Sequence, residues 1–153
     1  HWYSRALLLI AAACLLTAAA VGNSQSLTLV DKEGKTLFSQ PVRTGDSFVL
    51  QFTHSHARSL VEEIFVIGEN GVFTLRETVY EDFGAGLPHD PEPGQTMTFG
   101  NGKIRITGYD ATFTDLRVRV GHIADHHIVI NNSTTIRLAD LVRAGGEIGI
   151  VVR

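Results

Sequence analysis

The chain has 153 residues, 44% of them hydrophobic, a single cysteine and a formal net charge of −3. Residues 1–24 carry 17 of the apolar side chains, Cys14 and one cation, Arg5, so the other 129 residues are cysteine-free, roughly 39% apolar and stand at −4. That balance excludes a strongly basic nucleic-acid binder, a multi-domain enzyme and a disulfide-built scaffold, and leaves a body able to bury one core.

Arg5 precedes Ala6 to Val21, apolar at every position except Thr17 and ending near Ala18, Ala19 and Ala20. A basic residue, an apolar stretch and small residues make an export signal, with cleavage after Ala20 or Gly22. The rival reading is an uncleaved anchor, although the stretch falls short of the roughly 20 residues of a comfortable membrane span. Both readings place the body outside the cytoplasm. Residues 1–24 are thus expected to be an apolar helical leader, and 25–153 one domain.

The domain reads as strands and turns. Phe48, Leu50 and Phe52 share one face. Val61, Glu63, Phe65 and Ile67 alternate with Glu62, Ile64 and Val66, and Phe73, Leu75 and Val79 alternate with Thr74, Arg76 and Thr78. Asn70-Gly71 and Asn101-Gly102 sit between strand-like runs, where the pair favours a tight hairpin turn. Residues 83–95 hold three of the four prolines and three glycines, predicting a long loop. Leu116, Val118 and Val120 form a further half-buried strand, whose pattern continues to a core-facing His122, while Arg76, Arg117 and Arg119 face solvent. Gly34, Gly45, Gly108 and Asn131-Asn132 punctuate the rest. Leu138 to Val142 reads as a helical turn, and Ile148, Ile150 and Val152 as the last strand. Nine to eleven short strands predict an all-β, mostly antiparallel sandwich or barrel-like domain.

Two features break the alternation. The first is Thr53-His54-Ser55-His56, leading on to Glu62-Glu63. Glu63 falls on the apolar face of its strand, where a carboxylate needs a partner. His54 on the neighbouring strand would be a plausible one, in a structural, acid–base or metal-binding pair, whereas Glu62 points the other way. His54 and His56 at this spacing would share one face of an extended strand, and the adjacent His126 and His127 would face opposite ways. Structural zinc sites usually draw on cysteine, and the body has none. Ser55 beside His54 does not make a hydrolase, because neighbouring strand residues point apart and the chain has no Gly-x-Ser-x-Gly elbow. No catalytic residue and no cofactor is expected. The second feature is Gly84-Ala85-Gly86-Leu87-Pro88, whose glycines could present backbone N–H groups to an anion or simply let the chain turn.

His54-Ser55, Arg58-Ser59, Val61-Glu62-Glu63 and then Phe83-Gly84-Ala85-Gly86-Leu87-Pro88 together resemble the domain-of-unknown-function 1850 family, small exported bacterial and archaeal proteins often encoded beside TAXI-type TRAP transporters. The chain departs from the family's pattern at His56 and Leu60. The resemblance implies a patch formed by His54, Ser55, Glu62, Glu63, Gly84, Ala85, Gly86, Leu87 and Pro88. It also implies a non-enzymatic accessory that contacts the transporter's membrane subunit or its solute-binding receptor. The alternative is an independent periplasmic small-ligand or metal-binding domain.

Overall fold

The computed structural model describes residues 24–56, 58–81 and 90–153. Residues 1–23 of the leader and the Gly84–Pro88 loop lie outside them. Eleven strands run in chain order as β1 Gln25–Val30, β2 Thr36–Val42, β3 Ser47–Thr53, β4 Leu60–Ile67, β5 Phe73–Tyr80, β6 Thr96–Gly100, β7 Lys103–Phe113, β8 Asp115–Arg119, β9 His127–Ile130, β10 Thr134–Arg137 and β11 Glu147–Val152. A 3₁₀ turn, Leu138–Asp140, stands between β10 and β11. They form two antiparallel sheets packed as a sandwich, as the alternation implied. The small sheet has the order β2-β1-β11-β8 and the large one β10-β9-β3-β4-β5-β7-β6.

Alternation sends one face of each sheet inward. Leu27 and Leu29 of β1, Val118 of β8 and Ile148, Ile150 and Val152 of β11 meet Phe48 and Leu50 of β3, Phe65 and Ile67 of β4, Phe73 of β5 and Ile128 and Ile130 of β9. The rings at the centre are stacked or edge-on, with Phe48 and Phe65 centroids 4.9 Å apart and Phe48 and Phe73 5.3 Å apart. Burying each such side chain is worth about 1.5–3 kcal/mol, and each favourable aromatic pair adds about 0.5–1.5 kcal/mol.

A second, smaller apolar cluster lies on the same inner face toward β6. It comprises Val61, Tyr80, Ile104 and Ile106, with Phe52, Met97 and Tyr109 packed against it. Every one of these residues belongs to the large sheet.

Two hairpins turn where expected. Asn70 and Gly71 have φ of 56° and 75°, and Asn101 and Gly102 have 52° and 71°. At Gly71 a side chain would also collide with the Val152 carbonyl oxygen of the small sheet, 2.5 Å from where its Cβ would stand. Three expectations change. The ladder of β5 with β4 shifts between Ile64 and Phe65, so Thr78, opposite Glu63, takes the inner face and Val79, opposite Glu62, the outer one. Gly108 does not end a strand. It sits inside β7 at φ 83°, in an irregularity where β7 carries extra residues against β5. His122 is exposed, because β8 stops at Arg119 and the chain turns away after Val120. Arg76, Arg117 and Arg119 are exposed as expected.

One polar side chain ties the two sheets together. Gln25, only 5% exposed, projects from the start of β1 toward the large sheet. Its Nε2 donates to the Gly68 carbonyl at 2.9 Å and to Thr44 Oγ1 at 3.2 Å, and its Oε1 accepts from the Gly71 N–H at 2.9 Å. Gln25→Ala is expected to cost about 1–3 kcal/mol in chemical denaturation, since it leaves the Gly71 N–H without its acceptor, while the Gly68 carbonyl keeps the Thr44 Oγ1 donor at 3.3 Å. A loss within experimental error would show that water replaces the clamp.

Candidate functional site

β1 begins beside Gly68 and Gly71, so its far end and the β1–β2 turn lie at the opposite end of the sandwich. That far end also carries the β3–β4 turn, the chain leaving β5 and the segment entering β9. Val61 opposite Tyr80 is the last pair of the β4–β5 ladder, so the chain leaves β5 beside the turn that holds His54 and Ser55. His54 closes this turn. Its N–H donates to the Ser59 carbonyl at 2.9 Å, and its carbonyl accepts from Arg58 N–H at 2.8 Å, with Arg58 at φ 50°. Ser55 and His56 are exposed, and the His54 and His56 rings stand 6.3 Å apart in a turn, not on one face of an extended strand.

His54 and Glu63 do not pair across the ladder. The β3–β4 register places Leu50 opposite Glu63 and Phe52 opposite Val61. His54 therefore falls opposite Ser59, four residues further along, an offset of about 13 Å at the usual strand rise. The tightness of the turn fixes this register, and alternation alone does not reveal it. Glu62 behaves as expected: it points to the outer face, where Gln51 Nε2 donates to its Oε1 at 2.8 Å.

Glu63 instead marks a seam between the two apolar clusters. Across the inner face, Leu50 of the main core, Glu63, Thr78 and Ile106 of the second cluster stand in successive register. Burial raises the Glu63 carboxyl above the usual carboxylate range. Burial likewise raises the Tyr109 phenol. The hydrogen bond with Thr78 opposes that rise, and the charges of Glu63 and Glu92 add to it. Tyr109 and Thr78 are site residues that the alternation did not disclose. The available signal was Gly108, because a glycine inside a strand marks an irregularity that re-aims the next side chain.

His126 and His127 face opposite ways, as their adjacency implied. The His126 ring lies 5.5 Å from that of Phe52, and burial lowers its pKa while the neighbouring Asp125 opposes the shift. His127 Nδ1 is 2.7 Å from the Asp125 carbonyl oxygen. Ser59, 7% exposed, has no hydrogen-bond partner for its Oγ among the described residues. Among the described residues no group of three or more His, Cys, Asp or Glu side chains could hold a metal ion, and no helix is long and apolar enough to cross a membrane.

On the small-sheet side of this end lies a cleft of about 450 Å³. Lys32, Arg119 and Arg143 line it, together with Asp31, Glu33 and Glu147. Asp31 is occupied by the Glu33 and Lys35 N–H groups at 3.0 and 2.8 Å, and Glu147 leans toward Arg117 at 3.6 Å.

The family model described as Domain of unknown function (DUF1850) matches residues 48–137, more than half of the chain. The chain belongs to this family. No curated protein and no solved structure matches the chain. The span matched by the DUF1850 model runs from the second residue of β3 to the end of β10. It thus takes in the strands of the large sheet and β8, and leaves out β1, β2 and β11. The family's pattern is therefore written mainly on the sheet that carries Glu63, Tyr109 and the His54 turn.

The raised Glu63 carboxyl gives a signed prediction. The folded chain holds this proton more tightly than the unfolded chain, so the stability linked to it falls as pH rises from the usual carboxylate range through the raised value. Glu63→Gln removes the charge and keeps the shape. Thermal melts from acid to neutral pH should show the variant more stable at neutral pH, with the pH dependence flattened in that window. A variant less stable than the parent at neutral pH would contradict a carboxylate whose charge is opposed by burial.

Proposed function

We propose that this DUF1850 chain is a non-enzymatic extracytoplasmic accessory of a TAXI-type TRAP solute transporter. It engages the transporter's membrane subunit or solute-binding receptor through the loop end of its large sheet. The observation that carries this reading is the position of the His54-Ser55 turn within the matched span. It stands beside the end of β5 at Tyr80, at the end of the sandwich away from Gln25. Glu63 contributes from the inner face and not as the partner of His54, which supports binding over acid–base chemistry. The apolar stretch Ala6 to Val21 supports export or anchoring.

His54→Ala combined with Ser55→Ala changes a turn and leaves both apolar clusters intact. In cells carrying the companion transporter, this variant should cut solute uptake severalfold while its melting temperature stays that of the parent. Full uptake by a normally folded variant would contradict the role.

A second reading, an independent periplasmic small-ligand domain, has one observation in its favour. Its volume puts the cleft lined by Lys32, Arg119 and Arg143 in the range of small-molecule sites. Melting the protein with and without small carboxylates separates the two. On this reading a ligand at 100 times its dissociation constant adds about 2.7 kcal/mol of stability, and on the accessory reading uptake depends on the turn and no such shift is needed.

A further inference from the structure

The carboxylates beside β8 are shared unevenly. Arg117 and Arg119 stand opposite Gly149 and Glu147 of β11. Glu147 is the cross-strand neighbour of Arg119, yet its carboxylate leans diagonally to Arg117 at 3.6 Å. Arg117 also takes Asp115, whose Oδ2 accepts from its Nε and Nη2 at 3.0 and 2.7 Å. Gly149 makes room for this, with the Arg117 Cζ 3.0 Å from where a Cβ would stand. Arg117 thus holds two carboxylates, and Arg119 holds none among the described residues.

Arg119 instead lines the cleft of about 450 Å³ with Lys32 and Arg143. None of the ion pairs among the described residues takes in any of these three cations. The carboxylates of the cleft do not balance them. Asp31 Oδ1 is committed to the Glu33 and Lys35 N–H groups and Glu147 to Arg117, which leaves the Glu33 carboxylate against three cations.

The cations come from segments whose backbones are held. Lys32 sits in the β1–β2 turn, where the Asp31 N–H donates to the Lys35 carbonyl at 2.9 Å and the Gly34 N–H to the Asp31 carbonyl at 3.0 Å. Arg119 ends β8, and the next residue is bonded to the loop before β11. The Val120 N–H donates to the Gly146 carbonyl at 2.8 Å, and its carbonyl accepts from the Gly145 N–H at 2.7 Å. The Arg143 carbonyl accepts from the Gly146 N–H at 2.9 Å, and a Cβ at Gly146 would stand 2.8 Å from that same oxygen. Cations on a fixed frame lose less freedom on gripping an anion than cations on mobile segments do.

We infer that this cleft binds a small oxyanion with more than one negative charge, a dicarboxylate or inorganic phosphate. The Arg119 and Arg143 guanidiniums are its directional donors and Lys32 supplies a third charge. The inference rests on the small-ligand reading of the cleft, to which it adds the ligand class and the groups that hold it. Lys32 and Arg143 lie outside residues 48–137, so the full set is a feature of this chain and not of the matched family pattern.

Calorimetric titration of the full chain with succinate and, separately, with inorganic phosphate at fixed ionic strength tests it. Arg119→Gln and Arg143→Gln should each weaken binding about tenfold, as the loss of a charge-assisted contact implies, and Lys32→Gln should weaken it less. Arg76→Gln removes an equal charge from β5 of the other sheet and should leave binding unchanged. All four side chains are exposed, so without ligand the variants should melt with the parent. Binding of either probe with this pattern upholds the site, and the tighter probe tells a carboxylate ligand from a phosphate. Neither probe binding at tens of millimolar would overturn it. So would binding that Arg76→Gln weakens as much as Arg119→Gln does, the mark of diffuse charge attraction. Binding of glycine but of neither probe would put a zwitterion in the cleft and overturn it too. A probe that binds the parent and the Arg119→Gln/Arg143→Gln double variant alike would overturn this site while leaving the small-ligand reading standing.

Discussion

Seven strands on one side of this sandwich face four on the other, and a four-stranded sheet spans too little width to back the whole inner face of its partner. The main core forms where the sheets overlap, around Phe48, Phe65, Phe73 and the aliphatic inner face of β1 and β11. Toward β6 the large sheet gathers its own apolar side chains into a second cluster, to which the small sheet contributes none of the described residues. Glu63 stands at the seam between them. Its carboxyl, held above the usual range by burial, is a consequence of that mismatch.

The two ends of the sandwich are built differently. At one end Gln25 locks β1 to the turns around Gly68 and Gly71 through buried hydrogen bonds, and Gly71 lies against the backbone of Val152. The other end collects turns, histidines and a charged cleft. A rigid clamp at one end and loops at the other is the usual arrangement for a domain that presents a binding surface on a fixed scaffold. The DUF1850 match takes in the β3–β4 turn at that end and leaves out the β1–β2 turn that helps to line the cleft.

Much of this architecture was legible in the sequence because alternation is a local signal. The faces of β3 and β4, the Asn-Gly hairpins, the outward Glu62 and the opposed His126 and His127 follow from a period of two residues. What alternation cannot carry is register and irregularity. The shift in the β4–β5 ladder exchanged the faces of Thr78 and Val79, the irregularity after Gly108 brought Tyr109 into the seam, and the short turn after Thr53 set His54 opposite Ser59 in place of Glu63. Each depends on how one strand meets its neighbour, a property of the pair that neither strand holds alone.

The central claim is that the second cluster packs within the large sheet, with Glu63 dividing it from the main core. Native-state amide hydrogen exchange tests this most directly, because it resolves regions that open separately. The account predicts that β6 and the stretch of β7 from Lys103 to Thr107 open at a lower free energy than β1, β11 and β3, in a partial unfolding that leaves the main core protected. Uniform protection, with β6 and β7 exchanging only through global unfolding, would contradict it.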